Sequence, residues 1–198
     1  RYVDDPAFVR RMLPGVRAVL SFFERYQRPN GSLARLPWWN YVDWRPEWPG
    51  GVPKPGADGA LAPLDLQLLL AYQWAAELES ALGYGAMSQV YKTSAEKLAA
   101  AIRAQYWSPE ARLFADTTAR DTFSHHTASM AVLGGLVKGP EAAGMLAHAL
   151  ARPGITTTSI YFRYYLHLAL REAGLGDRYL DMLGTWHDIL KDGLTTWQ

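Results

Sequence analysis

Apolar residues recur at three- and four-residue spacing over most of this chain, the pattern of amphipathic helices. The first predicted helix is capped by Asp4 or Asp5, with Pro6 in its first turn, where a missing N–H costs nothing. It carries Phe8, Met12, Val16, Val19, Leu20, Phe22 and Phe23, and Pro29-Asn30-Gly31 stops it. A second opens at Pro63, carries Leu64, Leu68, Leu69, Tyr72, Ala75, Ala76 and Leu78, and closes at Gly83. A third spans about 86–106 through Val90, Ala95, Leu98, Ile102 and Tyr106. Four more are predicted over 124–137, 140–152, 159–173 and 177–191. Arg112-Leu113-Phe114-Ala115-Asp116 leaves the helical period and predicts a short extended piece, at most a small hairpin near 112–118.

The expectation is therefore an all-α protein of about seven antiparallel helices, with short connections except at 27–62 and 107–123. No fixed-length repeat is present, which argues against a regular solenoid. Helices of similar length, with long connections recurring between particular pairs, suit an α/α toroid whose loops at one rim build a site. A six-pair toroid needs twelve helices, so the expectation is part of one.

Composition acts mainly by exclusion. The 198 residues are 49% hydrophobic, enough for one sizeable core. Twenty Lys+Arg against 19 Asp+Glu give a net charge of +1, with no basic stripe to match a nucleic acid. No apolar run is long enough for a membrane helix. The absence of cysteine removes disulfides and thiolate metal sites. No cofactor is implied. The chain starts Arg1-Tyr2-Val3 and stops at Thr196-Trp197-Gln198, and both ends read as cut from something longer.

The chemistry concentrates in one connection. Pro37-Trp38-Trp39-Asn40-Tyr41-Val42-Asp43-Trp44-Arg45-Pro46-Glu47-Trp48 holds four of the eight tryptophans, and the Pro/Gly-rich stretch 49–56 after it cannot be helix. A loop runs over the surface and carries function, so this cluster is poor core material. Indole faces stack on the C–H faces of a sugar, and fixed carboxylates accept bonds from its hydroxyls. The plain alternative is that Trp38, Trp44 and Trp48 plug the end of the helical array. Glu47 suits a surface ion pair with Arg45 or Lys54. His125 and His126 invite a metal reading, but adjacent helical residues project about 100° apart. With no His or carboxylate at i+4, no metal site is predicted. His126 reads as either buried and hydrogen-bonded or lining the pocket, His148, His167 and His187 as structural, Trp186 as core, and Tyr161, Phe162, Tyr164 and Tyr165 as mostly core.

Six segments occur together in order: Asn40-Tyr41-Val42-Asp43-Trp44, Gly51-Val52-Pro53, Leu113-Phe114-Ala115-Asp116, Phe123-Ser124-His125-His126-Thr127, Ser159-Ile160-Tyr161-Phe162-Arg163-Tyr164-Tyr165, and Gly193-Leu194-Thr195-Thr196-Trp197. In this the chain resembles α-L-rhamnosidase-like glycoside hydrolases of the family 78 type. The resemblance covers all 198 residues but only the middle and later part of an (α/α)6 catalytic domain. It implies inverting hydrolysis, in which an acid protonates the leaving oxygen and a base activates water about 6.5–9.5 Å away across the sugar. It places the acid before Arg1 and the base just after Gln198, so this chain supplies part of the sugar-binding wall. Its implied substrate contacts are Trp39, Asp43, Trp44, His126 and Trp197, with a neutral sugar as partner. The family more often has Gln at the place of His125 and Asn at that of Ala128. Two other readings stand beside this one: a helical interaction module docking a partner on loop 38–55, and a terpene-cyclase-like toroid, whose Asp-rich motif is missing here.

Overall fold

The computed structural model describes residues 5–193. Within them lie seven α-helices: α1 Pro6–Glu24, α2 Ala62–Ala81, α3 Gly85–Tyr106, α4 His125–Leu133, α5 Gly139–Ala151, α6 Arg163–Glu172 and α7 Gly184–Lys191. A two-stranded hairpin, β1 Trp107–Ser108 and β2 Leu113–Phe114, pairs Trp107 with Phe114 and Ser108 with Leu113. It sits slightly earlier than the sequence predicts, because the strand continues directly from the end of α3 and Arg112 turns the chain with a φ of 52°. No described helix is long and apolar enough to cross a membrane.

Helices α2, α4 and α6 form the inner layer. Residues 125–132 of α4 are all buried, and α2 buries Leu66, Leu68, Leu69, Leu70 and Tyr72 around much of its circumference. A helix apolar on every side belongs inside. The three pack side by side, α4 between the others, while three-residue connection 82–84 turns α3 back antiparallel on α2. Their N-terminal ends meet at one rim. The Ala62 amide donates to Asp116 O at 2.9 Å, and the His125 amide donates to Thr156 O at 2.9 Å. Asp65, at the start of α2, accepts from the Leu33 amide and the Tyr106 hydroxyl, both at 2.7 Å. Burial pushes its carboxyl up to about 6 against those bonds. By contrast α1 is one-sided: Leu13 and Leu20 are buried, and Phe8, Met12 and Val19 are exposed.

Helix boundaries shift where the backbone finds other partners. α1 stops at Glu24 because Gln27 and Leu33 bridge and Arg28 N donates to Ser32 O at 2.7 Å. α4 ends at Leu133 because Gly135 takes a φ of 71° and Leu136 N donates back to Ala131 O. α6 starts four residues later than predicted, after a turn that Ser159 closes by accepting from Phe162 N at 3.2 Å. The last predicted helix splits into a 3-10 segment, Gly176–Met182, and α7. Trp186, expected in the core, is 43% exposed, and Tyr161 and Tyr164 likewise face outward, because α6 and α7 bury only one side each.

Candidate functional site

Loop 38–55 crosses the rim where α2, α4 and α6 begin, and its aromatic residues divide into two sets. Trp48 is buried and packs 4.4 Å from the His126 ring, which packs 4.4 Å from Phe162 on its other contact. Trp39 and Trp44 face outward, 65% and 62% exposed. Their rings form a triangle with Tyr41, with centroids 5.2 Å apart for Trp39–Tyr41, 5.3 Å for Tyr41–Trp44 and 6.0 Å for Trp39–Trp44. Trp38 instead joins α1, against Phe22 and Tyr26.

This shelf is held rigidly. The Trp39 indole Nε1–H donates to Gly50 O at 2.8 Å. Gly51 has a φ of 74°, and a Cβ there would lie 2.5 Å from the Tyr41 ring, so only glycine lets the ring close down on the backbone. Glu47 reaches back to Arg45, 3.6 Å away, as a surface pair.

Beneath the shelf, Asp43 is completely enclosed. Its Oδ2 accepts from the Ser159 amide at 2.8 Å and lies 2.7 Å from His126 Nε2; its Oδ1 accepts from the Ser159 hydroxyl at 2.5 Å. Burial alone would push this carboxyl up, but the bonds from His126 and Ser159 outweigh it and hold Asp43 below its ordinary value. Burial depresses His126 more than Asp43 raises it, so the imidazole is neutral and donates through Nε2. Its Nδ1 has no hydrogen-bond partner and is buried, which agrees with a lone pair rather than a proton there.

The substrate contacts implied by resemblance thus fall in different places. Trp39 and Trp44 are accessible on one shelf. Asp43 does not open into a cavity with Trp39, because three donors enclose it, and His126 lies in the same buried cluster. Trp197 lies outside the described residues. His125 and His126 face different partners, Ala149 O at 3.3 Å and Asp43, and no group of three metal-ligating side chains forms among the described residues.

Two polar partners at this rim were not legible as such. Ser159 precedes a helix and so reads as a cap, which hides its bond to Asp43. Asp116 accepts from Ser124 at 2.6 Å and Thr127 at 2.5 Å, and burial pushes its carboxyl up to about 6 despite those bonds. A cavity of about 1220 Å3 lies elsewhere, between α2, α3, the 133–139 turn and α6. It is away from the aromatic shelf, among residues toward the C-terminal ends of α2 and α4.

No protein-family model matches the sequence, and no curated protein matches it. In fold, the chain is similar to the crystal structure of a GH78 family rhamnosidase of Bacillus sp. GL1, with a TM-score of 0.82 and 24% identity. It is also similar to a rhamnosidase from Klebsiella oxytoca with rhamnose bound, with a TM-score of 0.79 and 18% identity. These alignments cover 98% and 95% of this chain, but the chain spans only 20% and 35% of the lengths of those structures. The likeness establishes the fold: these helices form part of an α/α toroid of the kind contained in the rhamnosidases.

Proposed function

We propose that this chain is part of the catalytic domain of an inverting glycoside hydrolase acting on terminal α-L-rhamnosides or a related neutral sugar. In this reading loop 38–55 forms one wall of the sugar site. Trp39 and Trp44 stack on the sugar, while Asp43, Ser159 and His126 hold the loop in place from below. Asp43 is then a positioning residue rather than a direct ligand. Inversion needs an acid and a base on opposite faces of one sugar. The buried carboxylates described here are already engaged: Asp43 by His126 and Ser159, Asp65 by Tyr106, Asp116 by Ser124 and Thr127, and Glu79 by Arg17 at 2.7 Å. That engagement is consistent with the family resemblance, which implies an acid before Arg1 and a base after Gln198.

The observation that carries this reading is the rigid, exposed aromatic shelf at the rim of a rhamnosidase-like fold. An assay of the purified chain with an aryl α-L-rhamnoside tests the catalytic half. General acid–base assistance supplies about 10²–10⁴-fold for each group, so turnover should be undetectable. Robust hydrolysis, abolished by Glu47→Gln, would show that the aromatic loop itself carries the acid.

A further inference from the structure

Beside the aromatic loop, a cavity of about 360 Å3 opens between the start of α6 and the turn leading into α7. Its polar lining is Thr157, Thr158, Arg163, Thr185, His125 and Asp181. Two of these are already engaged: His125 by Ala149 O, and Asp181 by Arg178 at 2.9 Å. Arg163 donates through Nη1 to Met182 O at 2.9 Å and to Thr185 Oγ1 at 3.4 Å. Among the described residues it has no carboxylate partner. Burial lowers its pKa, and the charge of Arg45 lowers it further.

Arg45 stands at the edge of the same cavity. Its Nη2 donates to Thr157 Oγ1 at 3.0 Å, and its Nε is buried without a hydrogen bond, 3.6 Å from Glu47. Two guanidinium groups thus flank a threonine-lined space and repel one another; Glu47 lies beside Arg45, and Asp181, the carboxylate in the lining, is paired with Arg178. Like charges partly withdrawn from water interact unfavourably, and an anion between them reverses the sign. The planar guanidinium fork matches a carboxylate in particular. The volume lies in the range of small-ligand pockets, and threonine hydroxyls suit a hydroxylated ring.

We propose that Arg163 and Arg45 form a carboxylate subsite, so that the saccharide held on loop 38–55 includes a hexuronate beside the neutral sugar. This rests on the reading that the loop holds a sugar, because Arg45 and the Trp39–Trp44 shelf belong to one loop. The subsite makes Arg163 a specificity-determining residue for acidic glycans.

The test is a titration of the isotope-labelled chain with D-glucuronate, with its neutral parent D-glucose and with acetate, followed by amide chemical shifts. D-Glucuronate should bind about ten-fold more tightly than D-glucose, the ratio that one charge-assisted hydrogen bond supports. Shifts should centre on Thr157, Thr158 and Arg163. Arg163→Gln should erase the difference, Arg163→Lys should keep part of it, and Arg10→Gln on α1 should change nothing. Circular dichroism of each variant checks that it is folded. Equal binding of the two sugars, a preference that survives Arg163→Gln, or acetate binding as tightly as D-glucuronate would overturn the subsite. L-Rhamnose titrated in parallel separates the two claims. Rhamnose binding without a uronate preference sinks only the subsite. A uronate preference without rhamnose binding sinks the rhamnosidase reading and leaves the subsite standing.

Discussion

Asp43 and Asp116 are both buried at the rim where α2, α4 and α6 begin, yet their carboxyls lie on opposite sides of the ordinary value. Asp116 receives two hydroxyls, Ser124 and Thr127, both on Oδ1 and both within 11 residues in sequence. Asp43 receives an amide and a hydroxyl from Ser159 and the Nε2–H of His126, spread over both oxygens. Those partners lie 116 and 83 residues away. Hydroxyl bonds do not outweigh burial at Asp116, whereas the fuller set of donors at Asp43 does. The lesson is that one carboxylate closes a local turn, and the other, kept anionic, fastens loop 38–55 to the starts of α4 and α6.

The largest expected effect breaks that fastening. Asp43→Ala leaves the Ser159 amide, the Ser159 hydroxyl and the His126 Nε2–H without their acceptor and should destabilise the chain by about 3–5 kcal/mol, read from urea unfolding. A loss below about 1 kcal/mol would contradict the anchoring role. Gly51→Ala comes next, at roughly 1–3 kcal/mol, since it forces a side chain into a φ of 74° and against Tyr41. Its Tyr41 and Trp39 signals should move, whereas signals around Asp116 should not.

Asp116→Asn should cost about 1 kcal/mol, and it sharpens the comparison through pH. Folding raises the Asp116 pKa from 3.8 to about 6, so its contribution is complete below pH 3.8 and is lost as the pH rises to about 6. Asp43 runs the other way: its folded pKa is lowered, so its contribution is present above pH 3.8 and is lost as pH falls through the folded value. The stability gap between wild type and Asp116→Asn should therefore be wider near pH 4 than near pH 7. A gap that does not change with pH would refute the upward shift. Trp39→Ala, at an exposed position, should change stability by no more than about 0.5 kcal/mol.

Much of the fold was legible because it is written in period 3.6. α2, α3 and α5 begin and end within one or two residues of their predicted bounds, since Pro63, Gly83 and Pro140 mark their ends locally. Where boundaries moved, a tertiary partner competed with the helix: Ser159 turned toward Asp43, and Gly135 took a left-handed turn. The aromatic loop was legible as a candidate site by the concentration of tryptophan. Its division into an outward Trp39–Trp44 shelf and an inward Trp48 was not, because an irregular loop has no period to say which side faces in. Asp43 was legible as important but not in its surroundings, because nothing local announces a partner 83 residues away. Arg163 reads as one more residue in an aromatic helix until Arg45 folds beside its cavity.

The central claim is that the exposed shelf binds the sugar while the buried cluster only positions it. Titration of the purified chain with L-rhamnose, followed through the tryptophan indole N–H signals, tests this directly. The account expects shifts at Trp39 and Trp44, binding lost in Trp39→Ala with stability unchanged, and no shift at the buried Trp48. Unaltered rhamnose binding by Trp39→Ala, or shifts confined to residues remote from loop 38–55, would contradict it.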